Sequence, residues 1–250
     1  MPEVSVIIVC MNRPDLLYPC LEGIRAHTTV SHEVLVVAYL FSAENLARLR
    51  ADWPDVKVVE SRELRGFSEN NNLALRQAAG KYCFIVNDDT LMSMPVIDAL
   101  VADFGRLPAD AAIVSPKIVF PDGRVQTSGR APWTAWRYVK HYLHMVDETV
   151  PTRWSMQEGL FRTWTVNGAC FLIRTDVFRQ LNGFDPRFFL YQEDSDLSRR
   201  VLAEKLGSIV YHPDMCVTHV WARENTRTFR GRMRQTRSVI KYFLKWGVTW

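Results

Sequence analysis

The chain has 250 residues, 48% of them hydrophobic and 23% charged, which is material for the core of one large α/β domain without disulfides or a structural metal. Its five cysteines are scattered and form no CxxC pair, against a zinc site and in keeping with a reducing cytoplasm, and the leading apolar stretch, Val4 to Met11, reads as neither a signal peptide nor a membrane span. The net charge of +4 is unevenly placed: Arg223, Arg227, Arg230, Arg232, Arg234, Arg237, Lys241 and Lys245 crowd the last segment, opposed there only by Glu224.

In chain order, residues 4–10 (VSVIIVC) are rich in β-branched side chains and too short for a helix, so they predict a buried strand. Pro14 suits the first turn of a helix carrying Leu16, Leu17, Cys20, Leu21 and Ile24. Strands follow at 33–38, 56–60 and 82–86, and helices at 43–50, 67–79 and 95–104, with Gly80 expected to close the third of the chain's helices as its C′ residue. Alternating strands and helices imply a mostly parallel sheet covered on both faces. Ligands of such sheets sit at the carboxyl ends of the strands, where Asn12, Ala38, Glu60 and residues 87–89 fall. Further on, 112–120 predicts a strand and Pro121-Asp-Gly-Arg124 a turn. Residues 130–164, rich in Trp, Tyr and His, predict a long loop region. A strand is expected over 165–173, a short helix over 175–181 and a last clear helix over 196–206, ended by Gly207.

Three groups can carry chemistry. Asp88-Asp89 closes an apolar strand, so its carboxylates can hold a divalent cation that prefers hard oxygen ligands; an Asx-turn or helix cap before Pro95 explains the pair equally simply. Glu193-Asp194, with Asp196 close behind, exceeds what one helix cap requires. A carboxylate flanked by aromatics and other acids can act as a general base. His219, at a strand end, is either a packed imidazole or a ligand.

These fragments stand in a recognisable order: VSVIIVCMNRPDLL, EVLVV, RGFSENNNLALRQAAGKYCFIVNDDT, PKIVFPDGRVQTSG, VNGACFLIRTDVFRQLNGFDPRFFLYQEDSDLSRR and THVWA. Together they resemble family 2 glycosyltransferases of the GT-A fold, in particular the rhamnosyltransferase-like branch, over nearly the whole chain. The resemblance implies a Rossmann-like, mostly parallel sheet with helices on both faces and a smaller acceptor-side lobe. Residues 1–125 would form the nucleotide-binding lobe, 126–222 the acceptor and catalytic lobe, and 223–250 a basic C-terminal helical segment. It further implies an inverting transfer from a nucleotide-diphosphate sugar, dTDP- or UDP-linked, to a hydroxyl of a growing or lipid-linked glycan. Mn²⁺ or Mg²⁺ would be held by Asp89 and His219. Asp194 would be the base, with Glu193 beside it orienting the acceptor. Asn12, Glu60, Gly66, Asn71, Asn72, Asn87, Asp88, Asn167 and Gly168 would line the donor.

Two departures stand out. Ala38 replaces the Asp that in the family contacts the nucleotide base, and Leu64 replaces an Asn common before the Gly-Phe pair. They leave a non-catalytic nucleotide-sugar or glycan binding module as the alternative. Retention of Asp89, Asp194 and His219 favours the enzyme. The basic segment, with Met233, Ile240, Phe243 and Leu244 at roughly helical spacing, either packs on the domain or makes a peripheral contact with an anionic membrane at the inner face of the cytoplasmic membrane. Nucleic acid is not an expected partner, because no reading motif is present and Trp133 and Trp136 are not interleaved with a dense basic run.

Overall fold

The computed structural model describes residues 1–107, 110–126, 134–142, 159–220 and 229–248. One sheet runs through the molecule, its strands in the order 57–61, 32–39, 4–10, 82–87, 170–174, 111–119, 208–219 and 90–91. Its first half is parallel and built from β1 (Val4–Cys10), β2 (His32–Tyr39), β3 (Lys57–Ser61) and β4 (Tyr82–Asn87). Helices α1 (Pro14–His27), α2 (Ala43–Asp52) and α3 (Phe67–Leu75) make the crossovers. β9 (Cys170–Arg174) then lies antiparallel between β4 and β6 (Ala111–Val119). β6 is parallel to the long β10 (Ser208–His219), and the two-residue β5 (Thr90–Leu91) closes that edge. Short strands β7 (Val125–Gln126) and β8 (Phe161–Thr163) pair with β6 and β10. The remaining helices are α4 (Val96–Arg106), α5 (Ala135–Tyr142), α6 (Thr175–Gln180), α7 (Glu193–Ala203) and α8 (Phe229–Trp246).

The near-continuous apolar runs follow from cover on both faces. On β1, Val4, Val6, Ile8 and Cys10 join one core layer with Leu17, Leu21 and Leu100, while Ile7 joins the other with Leu35, Phe171, Phe178 and Leu197. Each such side chain, fully buried, contributes about 1.5–3 kcal/mol. All five cysteines carry free thiols, and among the described residues no helix is long and apolar enough to cross a membrane.

The structure moves three predicted boundaries. The helix expected over 67–79 stops at Leu75, where Arg76 donates back to Asn72 and Ala74 and the chain tightens into a turn. Gly80 is therefore no helix cap. A Cβ there would lie 2.4 Å from the Ser5 nitrogen, and the Gly80 N–H donates to Ser5 Oγ at 2.8 Å, so the glycine is set by close approach to β1. The strand expected from 165 begins only at Cys170, and the helix expected from 196 begins at Glu193. In the predicted loop region 130–164, α5 and β8 form at either end. Trp133 and 143–158 lie outside the described residues, as do Arg223 and Arg227.

Candidate active site

The carboxyl ends of β1, β2, β3 and β4 share one edge of the sheet because those strands are parallel. Two further segments reach it. Antiparallel β9 starts there, so that Asn87 N–H donates to Ala169 O at 3.0 Å. β10 ends there, pairing His219 with Thr90 and donating from Val220 N to Asp89 O at 3.0 Å. Residues 87–89, 167–169 and 219 are thus brought together by strand pairing alone.

Within this group the His219 ring is fixed by Gln126. The Gln126 amide nitrogen donates to the His219 carbonyl at 2.7 Å, which sets the orientation of the amide, so its oxygen faces His219 Nδ1 at 2.9 Å and accepts from it. His219 Nε2 then stands 3.1 Å from Asp89 Oδ1 and 3.4 Å from Asn87 Nδ2. With Nδ1 protonated, the Nε2 lone pair and a carboxylate oxygen face each other, an arrangement stable only with a proton or a cation between them. Burial alone would raise the Asp89 carboxyl, but the hydrogen bond and charge of His219, with Arg13, bring it below the usual carboxylate range.

Asp88 has the opposite environment. Burial pushes it up to about 6, with Cys10 and Arg13 opposing and Asp89 adding. Its Oδ1 lies 3.6 Å from Arg13 Nη2, and its buried Oδ2 has no hydrogen-bond partner. A buried polar atom without a partner is costly and marks a place for a cation or a donor group. Among the described residues no three His, Cys, Asp or Glu side chains converge to enclose a metal ion. Asp89 and His219 are two donors of a kind that a divalent cation accepts, and they would fill only part of its coordination shell.

Asp194 comes to the same edge through Gly168, whose N–H donates to Asp194 Oδ2 at 3.0 Å; Ser195 N–H donates to Oδ1 at 2.6 Å. A Cβ on residue 168 would sit 3.4 Å from the Asp194 Cβ, in ordinary contact, so it is the backbone N–H of residue 168 that holds the carboxylate. Asp194 is half-buried and Glu193 is buried. Burial, with the Asp194 charge beside it, pushes Glu193 up to about 8, and its Oε2 has no partner. Tyr191 and Gln192, immediately before, both adopt left-handed backbone, at φ 70° and 71°. Two such residues in succession are strained.

That strain is held from α8. Ser238 Oγ donates to Leu190 O, Lys241 Nζ to Arg187 O and Lys245 Nζ to Asp185, each at 2.7 Å. Fully buried Asp196 accepts from Trp246 Nε1 at 2.8 Å, Lys245 Nζ at 2.7 Å and Arg200 Nε at 2.8 Å. Arg200 extends the network to the carbonyls of Leu181 and Gly183. The first turn of α7 is thus strapped to the C-terminal helix.

The other predicted residues are placed as follows. Asn12, at φ 52°, accepts from Ser42 N and Asn45 Nδ2 and ties the ends of β1 and β2 together. Glu60 stands in register with Ala38, and Arg50 and Arg62 hold its carboxyl below the usual range. Gly66 caps α3 where a Cβ would lie 2.4 Å from Phe189 O. Asn71 donates to Phe67 O inside its own helix, and Asn72 clamps the Phe184 backbone with both ends of its amide. Asn167 accepts from Ala169 N. Two residues escaped the sequence reading: Gln126, which carries no signal in isolation, and Arg13, whose place directly after Asn12 at the end of the first strand offered one.

A family model described as "Glycosyltransferase like family 2" matches residues 2–238. The chain belongs to that family of glycosyltransferases. The O-antigen biosynthesis protein RfbC of Myxococcus xanthus is 29% identical over 209 residues, covering 82% of this chain and 16% of that protein. The N-acetylglucosaminyl-diphospho-decaprenol L-rhamnosyltransferase of Mycobacterium tuberculosis is 29% identical over 164 residues, 58% of this chain and 49% of its own. The chain thus spans less than half the length of these relatives. In fold it is similar to the mannosyltransferase PcManGT from Pyrobaculum calidifontis in complex with GDP-Man and Mn2+, with TM-score 0.65 and 20% identity over 98% of this chain and 64% of that one. It is likewise similar to GalNAc-T7 with UDP, GalNAc and Mn2+, with TM-score 0.64 and 16% identity over 88% and 44% of the two chains. The fold is that of the GT-A glycosyltransferases.

Proposed function

We propose that the transferase moves a sugar, with inversion, from a nucleotide-diphosphate donor to a hydroxyl of a growing surface glycan, in the cytoplasm. The observation that carries the proposal is the meeting of Asp89 and His219 with Asp194 at one edge of the sheet, linked through the β4–β9 pairing and Gly168. Asp89 and His219 would hold Mn²⁺ or Mg²⁺, a choice supported by the donor set and by the Mn2+ of the structural relatives. When bound, such an ion supplies Lewis-acid stabilisation of the charge on the departing diphosphate.

The chain's own groups do the rest. Asp194 is half-exposed and oriented by two backbone N–H groups, with lone pairs left to take the proton of the acceptor hydroxyl. Glu193, protonated at neutral pH, orients the acceptor as a donor. Arg13 places positive charge beside Asp88 at the donor side. With Ala38 at the end of β2, Glu60 is the carboxylate in register with it, on the neighbouring strand, and the donor is a dTDP- or UDP-sugar, rhamnose first among candidates. The decaprenol-linked substrate in the name of the mycobacterial relative supports a lipid-linked acceptor.

The test is transfer from a panel of nucleotide sugars to glycan and lipid-linked acceptors with Mn²⁺ present, the anomeric configuration of the product being read by NMR. Asp194→Asn should lower kcat by about 10²–10⁴ while donor binding persists. Donor binding without transfer or hydrolysis across the whole panel would support a binding module instead.

A further inference from the structure

The strap that holds the first turn of α7 uses only one side of α8. Val239 and Tyr242 are buried, Ser238 bonds inward, and Phe243 packs with Trp246 on the Phe188–Tyr242 cluster. Phe243 is half-buried against that cluster and stands apart from the exposed stripe. Met233, Ile240 and Leu244 follow at i, i+7 and i+11, one stripe of a helix, and point the other way. They are 39%, 53% and 81% exposed. Arg237 interrupts that stripe and is exposed, with exposed Arg234 beside it, and residues 229–248 contain no acid. The neighbouring helix α5, joined to α8 through Tyr138 and Thr236, exposes Trp136 at 53% and Val139 at 39%, with Lys140 5.1 Å from the Trp136 ring.

We propose that this outward face of α8 lies on an anionic lipid bilayer. Cations interleaved with large apolar side chains on one face are costly in a dry protein interface, where each charge must be desolvated. At a headgroup boundary the same pattern is favourable: Ile240 and Leu244 enter the acyl edge while Arg237 and Arg234 stay among phosphates. Trp136 is of the type that sits at that boundary. Because the inner face of α8 holds the segment bearing Asp194, docking would bring the proposed acceptor side of the site towards the lipid surface. The inference rests on the proposed cytoplasmic setting, and lipid binding is read without donor or acceptor, so its failure is distinguishable from failure of the transfer reading.

The experiment is flotation of the whole chain with phosphatidylcholine vesicles, with and without phosphatidylglycerol, at low and high salt. Binding is expected only with phosphatidylglycerol and should weaken with salt. The Ile240→Ser/Leu244→Ser double variant and, separately, Arg237→Glu should each cut partitioning by about five- to tenfold. Their circular dichroism and their turnover of a water-soluble acceptor should stay those of the parent. No binding of the parent at low salt would overturn the proposal. So would variants that bind like the parent, or a parent dimer in sedimentation that both variants lose while vesicle binding is absent.

Discussion

At Glu193 a carboxyl sits buried beside Asp194, and its proton affinity is raised from 4.5 to about 8. Between those values the native chain holds the proton more tightly than the unfolded chain. Stability therefore falls as pH rises through the window, and is level again above about 8. Glu193→Gln removes the titration, so its melting temperature should gain on the parent's between about pH 5 and about pH 8, by about 2–4 °C for each kcal/mol recovered. Thermal melts of both proteins at the two pH values check this. An unchanged difference would mean that the group does not titrate in that window. Residue identities were the most legible part of the candidate site: Asp89 and His219 stand out by type and by strand-end position, and Asp194 by its place in an acidic helix start. Gln126 did not, because an amide becomes a ring-orienting group only once β7 pairs with β6 and sets it against His219.

Among the elements, the parallel half of the sheet could be read from the chain because its strands and helices are contiguous, each about as long as its apolar run. The start of α7 could not, since Gln192 donates no side-chain cap and the first turn is held from outside. Nor could the inward side of α8: helical spacing names two faces, but which one packs depends on Asp185 and Asp196, far away in sequence. Lys245 bridges both of those carboxylates. Lys245→Met should cost about 1–3 kcal/mol by leaving buried Asp196 short of a charged donor, and Trp246→Phe should cost less, losing the neutral Nε1–H bond and part of the indole packing while Lys245 and Arg200 still donate to Asp196. If α8 sets the geometry of Asp194, both variants lower kcat while the KM for the donor stays near the parent's, and their kcat losses follow the order of their stability losses. A rise in donor KM with kcat unchanged would place α8 on the donor side instead.

Over the whole molecule the candidate site is assembled from points distant in sequence, Arg13, the Asp88-Asp89 pair, Asn167, Asp194 and His219, each fixed by a different strand or helix end. A ligand that touches several of them binds only the folded chain, so it stabilises the whole by mass action, about 2.7 kcal/mol at a hundred times its dissociation constant. On the proposed function, Asp89 and His219 alone would make an incomplete cation site, and a diphosphate alone would meet the carboxylates of Asp88 and Asp89 with no metal ion between. Mn²⁺ and the nucleotide should therefore each shift the melting temperature little and together shift it by about 5–10 °C. The matrix of melts with Mn²⁺, with UDP or dTDP, with both, and with a chelator added last reads this directly. Asp89→Asn should collapse the joint shift, whereas Asp194→Asn, which touches the acceptor side, should retain it. Equal shifts from nucleotide with and without the chelator would detach donor binding from the metal, and Arg13 would then be the group to which the diphosphate is assigned.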